Sequence, residues 1–197
     1  MEIPMKPLSI ELHSIFQEFV NVCVTEYHLN DTALYKLAPK PERHCLNPYL
    51  TSEADVEMKF GGFLQSKISD RSLSIHSQLS IYKEHPNARA DLSVHKVENN
   101  SLWTTNNSLF DSLLAVIEVK YANFVNPDFD FVRGNIAKDI LNLSSLKSGI
   151  GRFLLIIDEG CKISPQLINY THHEAIKYQI EILSNNPGFN RKTNAAA

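Results

Sequence analysis

Between residues 8 and 27 the apolar residues Leu8, Leu12, Ile15, Phe16, Phe19, Val20, Cys23 and Tyr27 recur at steps of three and four, the spacing that lines one face of a helix. Pro7, whose fixed φ suits a first helical turn, stands just ahead of them. The prolines of Ala38-Pro39-Lys40-Pro41 and Asn47-Pro48 break regular structure, so this stretch reads as a connector. A second stripe, Val56, Phe60, Phe63, Leu64 and Ile68, follows Ser52, whose hydroxyl can cap a helix with Asp55 three positions on. Three runs then alternate or carry short aliphatic content without helical spacing, predicting strands over 73–82, 89–96 and 113–121. The polar stretch 98–108 joins the last two as a long hairpin loop. A third helix is predicted over 131–147, with Val132, Ile136, Ile140, Leu143 and Leu146 on one face, and beyond Gly149 and Gly151 an aliphatic strand occupies 153–158. Thr171 with Glu174 marks the start of a last helix, which 185–188 stops.

The order is helix, three strands, helix, strand, with an extra helix at each end. An antiparallel meander followed by a crossover implies an α/β fold with a mixed β-sheet flanked by helices. With 197 residues, 43% of them hydrophobic, the chain can bury one sizeable core. The expected organisation is an N-terminal helix and connector over 1–50, a core over 51–160, a C-terminal helix over 161–190 and a disordered tail over 191–197. No aliphatic run is long enough to span a bilayer and residues 1–7 lack an apolar signal region, so neither secretion nor a membrane anchor is expected. Three widely spaced cysteines, Cys23, Cys45 and Cys161, form no CxxC pair, which suits a reducing cytoplasm. A formal net charge of −3 argues against a protein that coats nucleic acid through phosphate contacts, although a local basic groove is compatible with an acidic total.

The chemistry concentrates in two strands. In Val116-Ile117-Glu118-Val119-Lys120 an aliphatic run ends in two charges one residue apart, which alternation places on the same face roughly 7 Å apart. Charges that continue a core strand are costly unless paired or bound to a metal, and the competing account is a strand that emerges into solvent after Ile117. In Arg89-Ala90-Asp91-Leu92-Ser93-Val94-His95 the same alternation sets Asp91, Ser93 and His95 on one face. If the two strands pair antiparallel, Asp91 at the start of one meets Glu118 near the end of the other; taken alone, Asp91 reads more simply as the end of a turn. On the Ser52 helix, Glu53 falls near the centre of the apolar stripe and Glu57 toward its rim. For Glu53 a first-turn acid favoured by the helix dipole is an equal alternative, and Glu57 reads as solvated.

Together these residues resemble the PD-(D/E)XK nuclease superfamily, whose core is helix, three antiparallel strands, helix, strand, with an Asp on the second strand and Glu-x-Lys on the third. The segments from Ser52 to Phe60, Arg89-Ala90-Asp91-Leu92 and Ala115 to Lys120 look most like the nuclease domains of restriction-enzyme subunits. Ala90 replaces the name-giving Pro, and no Gln-rich motif follows in the third helix. The resemblance implies a restriction-endonuclease-like core and a Mg²⁺ (or Mn²⁺) site held by Asp91, Glu118 and the backbone carbonyl of Val119, with Glu53, or in its place Glu57, as the helix ligand. It gives Lys120 the role of positioning water or offsetting phosphorane charge. Lys138 is a candidate phosphate contact; Lys138 and Asp139 flank the helix stripe on a face that the resemblance sets beside the site. Arg89, Arg133 and Arg152 are further candidates for phosphate, with surface charge the simpler account of each.

The function expected is a Mg²⁺-dependent endonuclease acting on DNA in restriction, repair or phage defence, with RNA the alternative substrate and a homo-oligomer or partner subunit needed to cut two strands. A non-catalytic nucleic-acid- or protein-binding scaffold that keeps the fold is the reading from another class. A zinc cluster of Cys23, His28, His44 and Cys45 is disfavoured because Cys23 fits an apolar stripe, and Asp158-Glu159 reads as a solvated turn.

Overall fold

The computed structural model describes residues 8–22, 50, 52–68, 72–85, 87–97, 106–122, 129–158 and 163–189. The connector 38–48, the tail 191–197, and Cys23, His28, His44, Cys45, Trp103, Glu159 and Cys161 lie outside them. The chain divides into two compact units, Met1–Ser69 and Asp70–Ala197. Among the described residues no helix is long and apolar enough to cross a membrane.

The first unit holds helices α1 (Leu8–Phe19) and α2 (Glu53–Lys67). Leu12, Ile15, Phe16 and Phe19 are buried on the stripe predicted for α1. Phe19 meets Phe60 of α2 at 5.2 Å between ring centroids and 68°, an edge-to-face contact favoured by the ring quadrupoles. Ser52 caps α2 as expected, its hydroxyl accepting from the backbone N–H of Asp55 at 3.2 Å.

The second unit is a five-stranded mixed sheet with helices in its connections. Its elements are β1 (Leu73–Leu79), β2 (Ala90–Lys96), a short α3 (Asn106–Ser112), β3 (Leu113–Ala122), α4 (Phe129–Ser144), β4 (Gly151–Asp158), α5 (Pro165–Lys177) and β5 (Glu181–Ser184). Spatial order follows chain order, β1-β2-β3-β4-β5. The first three strands pair antiparallel, and β3-β4 and β4-β5 pair parallel through α4 and α5. Val116, Leu154 and Ile156 of the sheet share one core with Ile136, Ile140 and Leu143 of α4 and with Leu167 and Ala175 of α5. That is the face on which Glu118 and Lys120 also stand, because Lys120 pairs with Ile156 and Glu118 with Leu154.

Four expectations are corrected. Strand β1 ends at Leu79 rather than at residue 82, one residue past Gln78, whose φ of 56° lies in the left-handed region; the ladder passes from Ser77–Leu92 to Leu79–Ala90 across it. A short helix, α3, begins at Asn106, inside the stretch expected to be loop. The last helix starts at Pro165, because Ser164 supplies the cap and proline suits the first turn; Thr171 is buried within it and its hydroxyl donates back to the carbonyl of Leu167 at 2.7 Å. That helix stops at Lys177, Gln179 reverses the chain with φ 56°, and Glu181–Ser184 joins the edge of β4 as a fifth strand.

Candidate metal centre at the start of β2 and the end of β3

The β2-β3 register, Leu92 with Ile117 and Ser93 with Val116, continues one step to set Asp91 beside Glu118 on the same face. The β2-β3 ladder ends at Leu92, and the backbone N–H of Val119 finds its acceptor in Asp91 Oδ2 at 2.8 Å. Gln78 Nε2 donates to the other oxygen, Oδ1, at 3.4 Å. Asp91 is thereby held by backbone on one side and by the residue with the unusual φ on the other.

Glu118 is 2% exposed, and Tyr82, also 2% exposed, donates its hydroxyl to Glu118 Oε1. Burial raises the Glu118 pKa well above the usual carboxylate range, and the negative charges of Asp91 and Asp139 raise it further, whereas the Tyr82 hydrogen bond lowers it. Asp91 is within hydrogen-bonding reach of the Glu118 carboxyl. The same surroundings push the Tyr82 phenol far up, burial first and Glu118 second, so its hydroxyl stays protonated and remains a donor.

Lys120, two residues along the same face, donates to the Val119 carbonyl at 2.9 Å and stands 2.8 Å from Asp139 Oδ2 of α4 as an ion pair. Asp139 is 7% exposed, so the pair lies largely out of solvent, where it is weakly screened. The residues gathered here are Asp91, Glu118, Val119 and Lys120 from the sequence motifs, with Tyr82, Gln78 and Asp139 added by the fold. Tyr82 carries no sequence signal because it reaches the site from the loop after β1. Asp139 carries a partial one, being beside the α4 stripe.

Three carboxyl groups, Asp91, Glu118 and Asp139, gather here around one ammonium, that of Lys120. Asp91 and Glu118 side by side offer hard oxygen donors, and the Val119 carbonyl lies on the same strand, a donor set that fits Mg²⁺ or Mn²⁺ and not a thiolate-seeking metal. Among the described residues no group of three or more His, Cys, Asp or Glu side chains converges in a metal-ligating arrangement. The expected helix acids belong to the first unit: Glu53 is exposed in the first turn of α2, where the helix dipole favours an acid, and Glu57 is half-buried.

Other expected residues have different surroundings. Lys138 and Arg89 are exposed. Arg152 is a structural residue rather than surface charge, donating to the carbonyls of Tyr178 at 2.8 Å and Leu146 at 2.6 Å. Arg133 lies 4.8 Å over the Tyr170 ring. Asp158 is fully buried, which corrects the solvated turn: its Oδ2 accepts from Ile163 N at 2.9 Å and Asn186 Nδ2 at 2.6 Å, fastening the ends of β4 and β5. A second polar cluster lies further along β2, where His95 bonds to Ser93 and Ser112 at 3.0 Å each and meets the His76 ring at 5.5 Å.

Comparison of the chain with family models, with curated proteins and with solved structures finds no match.

Proposed function

We propose that this chain is a divalent-metal-dependent nuclease that hydrolyses DNA phosphodiester bonds, built on a restriction-endonuclease-like core. The observation that carries the reading is the placement of Asp91 and Glu118 on adjacent antiparallel strands, with Lys120 on the same face and paired to the crossover helix. The strand order and the crossover after β3 agree with the PD-(D/E)XK arrangement that the motifs resemble. The reading draws on the second unit alone.

Asp91 and Glu118, with the Val119 carbonyl, would hold the cation. A bound Mg²⁺ or Mn²⁺ supplies charge neutralisation at the phosphoryl group and acidifies water. Glu118, whose burial opposes its ionisation, would hold the cation in its ionised form, the charge of the cation offsetting the cost of burying the carboxylate. Lys120 presents an ammonium that orients water and offsets charge developing on the phosphorane, and Asp139 fixes the direction of that ammonium.

The test is cleavage of duplex and single-stranded DNA by the purified chain with Mg²⁺ or Mn²⁺, abolished by EDTA. RNA cleavage in place of DNA changes the substrate and keeps the chemistry. Absence of both cleavage and metal binding overturns the nuclease and leaves a scaffold that keeps the fold.

A further inference from the structure

Both acids at the centre are already hydrogen-bonded, Glu118 through Oε1 alone and Asp91 through both oxygens, Oδ1 accepting from Gln78 at 3.4 Å. Asp91 Oδ2 accepts the Val119 N–H at 2.8 Å, a backbone group that cannot turn away. Glu118 Oε1 accepts the Tyr82 hydroxyl, from a ring 2% exposed and packed in the same core as Val116, Ile136 and Ile140. The Tyr82 hydroxyl takes one lone pair of Glu118 Oε1 and fixes the rotation of the carboxyl, which works against a cation gripping both oxygens at once. Mg²⁺ takes six ligands at about 2.0–2.1 Å, many of them waters, and needs only single carboxylate oxygens. Ca²⁺ takes six to eight at about 2.3–2.6 Å and commonly fills that number with a bidentate carboxylate.

We infer that Tyr82 is a specificity-determining residue of the metal centre: by bonding to Glu118 Oε1 it favours single-oxygen coordination and selects a small octahedral cation such as Mg²⁺ over Ca²⁺. The inference rests on the metal-binding reading of Asp91 and Glu118. It is a positioning role, since the hydroxyl acts through Glu118. Phenylalanine at this position keeps the ring in the core and removes only the donor, freeing Oε1 to turn toward a larger ion. The hydrogen bond given up corresponds to roughly a tenfold change in an equilibrium constant.

The experiment is calorimetric titration of the full chain with Mg²⁺ alone and with Ca²⁺ alone, in wild type, in Tyr82→Phe, and with p-aminophenylalanine at position 82, which restores an N–H donor. In Tyr82→Phe the preference for Mg²⁺ over Ca²⁺ falls about tenfold, and p-aminophenylalanine restores it. A wild-type ratio in Tyr82→Phe overturns the role of Tyr82 and leaves the metal centre standing. Failure of wild type to bind either cation overturns both. A crystal structure of wild type with Ca²⁺ needs no variant: Glu118 meeting the ion through one oxygen supports the inference, and a bidentate contact overturns it.

Discussion

At the scale of single residues, burial decides what the charged groups can do. Glu118→Ala removes an oxygen donor, so half-saturation by Mn²⁺ shifts upward, on the order of 10–100-fold, as for loss of a metal-site contact. Lys120→Ala leaves that titration near wild type and slows cleavage at saturating metal, on the order of 100-fold, because an ammonium beside the centre acts on the transition state. Equal loss of metal affinity in both variants contradicts these roles. His95 supplies a pH signature: burial, with the neighbouring His76 charge second, lowers its pKa to about 4. A depressed histidine contributes stability that is present above its ordinary pKa of 6.5 and lost as pH falls toward 4, on the order of 1–3 kcal/mol. Glu118 slopes the other way, since its raised pKa gives stability present below the ordinary carboxylate value and lost as pH climbs. Urea unfolding from pH 7 to pH 4 in a Glu118→Gln background leaves the fall to His95 and to His76, whose pKa burial also lowers, and adding His95→Gln reduces it. Asp91, Glu118 and Lys120 were legible in the sequence because strand alternation fixes faces without knowledge of the rest. Tyr82 was not, because a loop residue's direction is set by packing.

At the scale of elements, the strongly periodic segments were readable and the short ones were not. Strands β2 and β3 and the buried stripes of α1, α2 and α4 follow the pattern of apolar positions, since each element presents one continuous face to a core. Strand β5 escaped because its four residues, Glu181 to Ser184, are too few for a period, and its pairing comes from the edge of β4. The start of α5 was missed in favour of Thr171, which shows that a Ser/Thr with an acid three residues on marks a cap only where the backbone leaves the helix. Ser164, the actual cap, accepts from Leu167 N at 3.3 Å. Ser164→Ala costs about 1 kcal/mol in chemical unfolding, and Ser164→Asp retains most of the stability. Thr171→Ser, which keeps the hydroxyl bonded to the Leu167 carbonyl, serves as the contrast and leaves the cap untouched.

At the scale of the whole molecule, the mixed sheet flanked by helices was inferred correctly from element order, while the division into Met1–Ser69 and Asp70–Ala197 was not drawn from composition, because no change in polarity marks Ser69. On the proposed nuclease reading, the net charge of −3 favours few phosphate contacts. Binding measured by fluorescence anisotropy between 50 and 200 mM KCl has a log–log slope of about −3 or shallower, the value for roughly three phosphates neutralised, and a slope near −8 contradicts this. The coincidence of spatial and chain order in the sheet bears on how the protein is made. A ribosome releases the strands in the sequence in which they pair, so each strand from β2 onward emerges beside a partner already made. The meander that brings Asp91 to Glu118 is complete in the nascent chain before β4 exists. The exposed element in that interval is the free edge of β3, an aliphatic strand open to a passing chaperone or to a neighbouring nascent chain until α4 and β4 emerge to cover it.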